Sequence, residues 1–214
     1  MPERIPHVND DYFDIEKVDE YLRQSEKQAG MMYGGFLKEL TRMDVRGKLL
    51  EAGSGPGILA AKIAGEYPDV EITGLELSGE MITAAEKYVN GKNLADRIRF
   101  VEGSVDDQAA VSNLGKFDLV YSTFSLHHWD DPVKSLKTLY DAVADGGTLF
   151  IHDLKRVWWL YYIPGKSGDL QAIRASYNTG EVRNMLREAC IPDKYILKTP
   201  FPYFWHSLIL KKGP

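Results

Sequence analysis

The sequence predicts an α/β fold: a doubly wound, mostly parallel seven-stranded sheet with an N-terminal helical cap and a C-terminal antiparallel hairpin. Three observations carry that reading. Between Lys48 and Asp153, short apolar runs alternate with runs of helical period, the pattern of βαβ units. A glycine-rich turn, Gly53-Ser54-Gly55-Pro56-Gly57, leads from the first of those strands straight into a helix. The two ends of the chain depart from the alternation, the first 47 residues being polar and then amphipathic, the last 61 aromatic and basic. The chain therefore divides into a helical cap (1–47), a ligand-binding core (48–153) and a segment that completes the same domain (154–214).

Taken in order, the cap has two amphipathic stretches, around Ile15 to Gln28 and Met31 to Met43, both expected as helices. Strands are expected at Lys48–Ala52, Val70–Leu77, Ile98–Glu102, Phe117–Ser122 and Thr148–Asp153. Between the first two, Ile58, Leu59, Ile63 and Ala64 recur at helical spacing. After the second, Ser78 is the expected N-cap of a helix whose apolar face is Met81, Ile82, Ala85, Tyr88 and Val89. Asp131-Pro132 opens another, with Pro at the first helical position, and Gly146-Gly147 is expected to stop it. The last region begins with Trp158-Trp159-Leu160-Tyr161-Tyr162, turns at Pro164-Gly165, forms a helix near Thr179 to Ala189, and ends in extended segments near Tyr195–Lys198 and Phe204–Leu210.

Composition sets limits. Of 214 residues, 44% are hydrophobic and 27% charged, which argues against disorder and collagen. The one cysteine, Cys190, excludes an intramolecular disulfide and multi-cysteine zinc sites, and a reducing, cytoplasmic setting is the simplest reading. Neither a secretory leader nor an apolar run of about 20 residues is present, so membrane spanning is not expected. The net charge of −5 argues against broad nucleic-acid binding. It divides unevenly: −3 over 1–47, −8 over 48–153 and +6 over 154–214, the tail also carrying 10 of the 24 aromatics. That tail slightly favours an anionic or aromatic partner molecule, with a solvated basic face as the default.

The glycine turn carries the chemistry. Glycines permit a tight turn and close approach of a ligand, and the helix N-terminus adds partial positive charge. The dinucleotide pattern wants its third small residue three after the second glycine. Here Gly57 follows Gly55 by two, so a nicotinamide dinucleotide fits poorly. Glu51, two before Gly53, would repel a pyrophosphate and attract an ammonium group. Glu76, ending the second strand, is placed to accept both hydroxyls of a ribose. Two carboxylates at consecutive strand ends around a glycine loop describe a nucleoside whose other end is an amino acid.

Leu50-Glu51-Ala52-Gly53-Ser54-Gly55-Pro56-Gly57, the Glu76 strand end, and the run Phe117-Asp118-Leu119-Val120-Tyr121-Ser122-Thr123-Phe124-Ser125-Leu126-His127-His128-Trp129-Asp130-Asp131-Pro132 resemble the class I S-adenosylmethionine-dependent methyltransferases, in particular the small-molecule branch called type 11. The resemblance covers Lys48 to Asp153. It implies a Rossmann-like core and S-adenosylmethionine as cofactor, with Glu51, Gly53, Ser54, Gly55 and Gly57 around the methionine portion, Glu76 on the ribose, Ser104 and Val105 at the adenine, and Ser122 at the strand end beside the methyl group. Leu77 and Met81 would sandwich the adenine, Met81 being equally readable as helix core. Many members carry an acidic residue where Ser104 stands; its hydroxyl, or Asp106, is the expected substitute.

Methyl transfer mostly requires alignment, which supplies about 7–11 kcal/mol, against roughly 3–5 kcal/mol for a general base. His127, in the loop after the fourth strand, is the first candidate for orienting or deprotonating the acceptor, with a purely structural histidine as the alternative. His128 reads as structural, and His152-Asp153 is a second candidate pair. No third ligand stands at zinc-like spacing, so no metal is expected. The Trp158–Tyr162 cluster lies where the family inserts substrate-binding segments, and its rings suit an aromatic or cationic acceptor. The Asp/Asn-Pro-Pro-Tyr/Phe motif of resembling nucleic-acid and protein-glutamine methylases is absent, Ser122-Thr123-Phe124-Ser125 standing there, which weakens base methylation; the expected acceptor is a small molecule (an O, N or C nucleophile). Competing readings are a nucleotide-binding oxidoreductase and a non-catalytic S-adenosylmethionine-binding subunit. The sequence leaves the oligomeric state open.

Overall fold

The computed structural model describes residues 2–6, 15–165, 167–200 and 203–213. Its strands are β1 (Gly47–Ala52), β2 (Val70–Glu76), β3 (Ile98–Glu102), β4 (Phe117–Thr123), β5 (Val143–Leu154), β6 (Tyr195–Lys198) and β7 (Trp205–Lys211), joined in one sheet of order β3-β2-β1-β4-β5-β7-β6. The first five run parallel, and β7 lies antiparallel between β5 and β6. The helices are α1 (Ile15–Leu40), α2 (Ile58–Glu66), α3 (Gly79–Gly91), α4 (Gln108–Asn113), α5 (Pro132–Ala142), α6 (Trp158–Tyr161), α7 (Gly168–Ala175) and α8 (Thr179–Glu188).

Alternate strand residues feed two cores, because successive side chains point to opposite faces. Leu49, Ile72, Leu119, Tyr121 and Phe150 pack with Phe36 and Leu40 of α1 and Leu59 and Ile63 of α2. Leu50, Leu75, Val120, Leu149 and Ile151 pack with Leu136 and Leu139 of α5 and Val182 and Leu186 of α8. Strand order reverses between β1 and β4. Their carboxyl ends therefore part and leave the crevice in which such sheets bind ligands.

Three expectations are corrected. The two N-terminal stretches form one continuous 26-residue helix, α1, running through Gly30. A helical glycine costs roughly 0.5–1 kcal/mol against alanine, but Val18 and Ala29 on one side and Phe36 and Leu40 on the other are buried, and that packing carries the helix across. Helix α5 stops at Ala142, before Gly146-Gly147, because Val143 is already extended and pairs with Phe117. The glycines instead accommodate the register shift inside β5: a Cβ on Gly147 would meet the Asp118 carbonyl at 2.8 Å. Helix α7 was not foreseen, since its few buried residues, Ile173 and Ala175, give a weak periodic signal.

The N-terminal segment is held over the carboxyl end of the sheet. Arg156, fully buried, donates from Nε to the Pro2 carbonyl (3.0 Å), from one terminal nitrogen to the Ser176 carbonyl (2.6 Å) and from the other to Glu181 (2.5 Å). Arg4 donates to the carbonyls of Ala175 and His127 and lies 4.3 Å from the Tyr177 ring centroid. Among the described residues, no helix is long and apolar enough to cross a membrane.

Candidate active site

The glycine loop follows β1 and closes on itself. The amides of Gly53 and Ser54 both donate to the Leu75 carbonyl, and that of Gly57 to the Ser54 carbonyl. Gly53 and Gly57 have φ of +73° and +74°, where a side chain is strained, and both are crowded: a Cβ would meet Ser125 Oγ at 2.3 Å and Phe100 Cζ at 2.8 Å, respectively. At Gly55, by contrast, a Cβ would meet nothing within 4 Å, so this point of the loop faces open space. Ser54 is buried, and its hydroxyl has no hydrogen-bond partner.

Glu51 lies beneath the loop. It is 2% exposed and accepts from the Tyr121 hydroxyl at 3.3 Å. Burial pushes its carboxyl up to about 8; the nearby Glu76 acts the same way, while bonds from Tyr121 and the Ala60 amide oppose the shift. The sign of the consequence follows. Unfolded, the group titrates near 4.5 and folded near 8, so in that window the native state holds the extra proton and stability falls as pH rises. Glu51→Gln is expected to flatten this slope and to raise stability at pH 8 while changing little near pH 4.5. Urea unfolding at the two pH values checks it, and an unaltered slope sinks the account.

Glu76 ends β2 and turns back to the loop. Oε2 accepts from the Gly55 amide at 2.8 Å, and Oε1 from the amides of Leu77 (3.0 Å) and Ser78 (3.1 Å). Leu77 is 71% exposed beside it, whereas Met81, in the first turn of α3, is 5% exposed. At the end of β3, Ser104 is half-buried and accepts the Asp106 amide, Val105 packs in the core, and the Asp106 carboxylate is engaged by the Ser135 hydroxyl. A cavity of about 770 Å³ opens here, lined by Ser104, Asp106, Asp107 and Lys134.

At the end of β4, Ser122 is fully buried and donates to the Ala52 carbonyl at 2.7 Å, so its hydroxyl is committed to the neighbouring strand. His127, on a short 3-10 turn (Leu126–His128), is 3% exposed. Its Nδ1 lies 2.8 Å from Asp153 Oδ1, and its amide donates to Oδ2 at 3.0 Å. Burial alone would raise the Asp153 carboxyl; the His127 charge and hydrogen bond, with His206 and the Leu154 amide, bring it below the ordinary value. His128 is exposed, and the two imidazoles lie 4.1 Å apart. The second candidate pair, His152 and Asp153, is split between the two faces of β5, because consecutive strand residues face opposite ways. Asp153 partners His127, and His152 Nδ1 lies 2.8 Å from Ser207 Oγ on the α1 face. Among the described residues, no three His, Cys, Asp or Glu side chains are grouped to hold a metal ion.

Residues 50–149 match the family model described as a methyltransferase domain. The match covers just under half of the chain, so it gives what this segment is similar to. The chain is 32% identical over 109 residues to the ubiquinone biosynthesis O-methyltransferase of Psychrobacter cryohalolentis, covering 51% of this chain and 41% of that one. It is 31% identical over 109 residues to the demethylmenaquinone methyltransferase of Porphyromonas gingivalis, covering 50% and 44%. The match thus spans less than half the length of these curated relatives. In structure, it resembles a SAM-dependent methyltransferase from Aquifex aeolicus (TM-score 0.64, 18% identity, 92% and 97% covered) and the plantazolicin methyltransferase BpumL in complex with SAH (TM-score 0.68, 17% identity, 92% and 90% covered).

Around the matched segment lie further residues that local sequence patterns do not single out. Tyr33 of α1 is half-buried, 6.2 Å from the Phe124 ring; burial pushes its hydroxyl up, and the nearby Tyr21 and Glu51 add to the shift. Tyr33, Phe36 and Leu40 lie at helical spacing, a signal present in the sequence. Trp205 opens β7 with its ring 6.0 Å from His152, a contact between residues more than 50 positions apart that no local pattern announces.

Proposed function

We propose that this chain is an S-adenosylmethionine-dependent methyltransferase acting on a small-molecule acceptor. The observation that carries the reading is the glycine loop at the β1–β4 switch point, with Glu51 buried beneath it and Glu76 bonded to the Gly55 amide. The residues fit the cofactor: Gly55 faces open space, and the Ser54 hydroxyl beside it is buried without a partner. When bound, S-adenosylmethionine supplies a methyl group on a positively charged sulfur that leaves readily.

The chain's part is binding, alignment and exclusion of water. The Glu76 carboxylate has about four acceptor positions, three of which receive amides, and it serves the ribose hydroxyls by exchanging among them. Glu51 offers a carboxylate to the cofactor ammonium, whose charge offsets the cost of ionising a buried group. Gly53, Gly57 and Ser54 shape the loop, Ser104, Val105, Leu77 and Met81 border the adenine, and Ser122 fixes the end of β4 beside the methyl group. His127, held by Asp153, stiffens the turn under the acceptor. The described parts of the two flanking regions, residues 2–6, 15–47, 154–165 and 167–180, form the lid, whose movement gates entry. The relatives named O-methyltransferases favour an oxygen acceptor, the acidic core disfavours nucleic acid, and one cysteine suits the cytoplasm.

Incubation with methyl-labelled S-adenosylmethionine and a cell extract, followed by mass identification, is expected to yield one labelled small molecule. Calorimetry in which NAD binds in preference to S-adenosylmethionine would favour the oxidoreductase. Tight cofactor binding with no labelled product from any extract would make the chain a non-catalytic subunit.

A further inference from the structure

Buried polar atoms without partners are few in native proteins, and each calls for an explanation. Among the described residues there are five: Ser54 Oγ in the glycine loop, His152 Nε2, Trp205 Nε1 and both ring nitrogens of His206. The last four gather where β5 ends and β7 begins, at the carboxyl end of the sheet. Register separates them. His206 pairs with Asp153 and faces the α5 side, whereas Trp205 pairs with Leu154 and shares the α1 face with His152 and Ser207.

We propose that His152 Nε2 and Trp205 Nε1 together hold the hydroxyl of the methyl acceptor, and that this acceptor is an uncharged hydroxylated aromatic ring. The proposal rests on the methyltransferase reading above. Ser207 Oγ, 2.8 Å from Nδ1, fixes the imidazole and leaves Nε2 as the remaining functional atom. Indole N–H only donates; a neutral imidazole whose Nδ1–H bonds Ser207 accepts at Nε2. A hydroxyl satisfies both at once, its oxygen accepting from Trp205 and its proton donated to His152, whereas a carbonyl satisfies only the first.

The surroundings suit a flat, neutral ring. Phe36, Phe124 and Phe150 stand edge-on to the His152 ring, at centroid distances of 6.4, 5.5 and 6.5 Å. Burial, the largest influence on it, holds the imidazole down at about 4, so it is neutral at pH 7. The position is right as well. The Phe124 amide donates to the His152 carbonyl, and Ser125 Oγ lies 3.5 Å from the Gly53 carbonyl, so the backbone of His152 lies two strand spacings, about 10 Å, from that of the glycine loop. In front of the imidazole stands Gly35 of α1, where a Cβ would lie 3.3 Å from Cε1 and 3.6 Å from Nε2, so the missing side chain leaves a notch no larger than a methyl group. On transfer, the hydroxyl oxygen uses an electron pair to bond the methyl carbon, the pair of the broken carbon–sulfur bond stays on sulfur, and the hydroxyl proton passes to Nε2 and then to solvent.

The test uses the whole chain with catechol as probe, in the presence and absence of S-adenosylhomocysteine, read by NMR of the indole N–H signals in the parent and by isothermal titration in every variant. Catechol is expected to shift the Trp205 signal saturably. Its affinity should fall about tenfold in Trp205→Phe and in His152→Gln, the worth of one hydrogen bond in a buried site, while S-adenosylhomocysteine affinity holds. Gly35→Ala guards against misfolding as the cause: alanine favours the helix, so a stable variant that also loses catechol binding supports the notch. Absence of catechol binding, or affinity unchanged in Trp205→Phe and Gly35→Ala, overturns the proposal. Catechol binding at this site without any S-adenosylhomocysteine binding would uphold the site and remove the methyltransferase reading beneath it.

Discussion

Glu76→Ala is expected to weaken S-adenosylmethionine binding by about 1.5 to 3 kcal/mol, the usual worth of hydrogen bonds to a charged group. Two effects combine. The ribose loses its acceptor, and the amides of Gly55, Leu77 and Ser78 lose the carboxylate that ties β2 to the glycine loop. Isothermal titration reads the first and a thermal melt the second. Glu76→Gln separates them, because its side-chain oxygen keeps one acceptor for the loop without the charge. Unchanged affinity in the alanine variant would remove Glu76 from the site.

Asp153→Ala is expected to cost about 3–5 kcal/mol of stability, because removing one partner leaves the buried His127 imidazole and two amides without their acceptor. That is a large part of what a domain of this size has. The pH dependence has a definite sign. Asp153 titrates below its ordinary 3.8 when folded, so its contribution is complete above that value and is lost as pH falls through the lower, folded one. Asp153→Asn should therefore lose stability at neutral pH and show a shallower acid limb in guanidinium melts. A variant as stable as the parent would show that Asp153 does not hold the His127 turn.

The parallel core was legible because its signals are local. Gly53, Gly55 and Gly57 announce a turn, Ser78 caps α3 by accepting the Met81 amide, and Asp131-Pro132 opens α5 as expected. What was misread was decided by contacts distant in sequence. Two amphipathic stretches suggested two helices, but the burial of Phe36 and Leu40 carries α1 through Gly30 as one. Asp153 and His152 turn to opposite faces of β5, and each finds its partner far away in the chain, Asp153 at His127 and His152 at Ser207.

The sequence by itself determined the βαβ order, the glycine loop and the two carboxylates at consecutive strand ends, since each depends on residues a few positions apart and on backbone geometry common to all chains. Only the tertiary structure decided which way those groups act. Glu51 is buried against Tyr121, Asp153 answers His127 across 26 positions, and His152 meets Trp205 and Gly35 from opposite ends of the chain. Burial and partner choice set whether a carboxyl is charged or an imidazole unsatisfied, and both are properties of the packed molecule rather than of any segment.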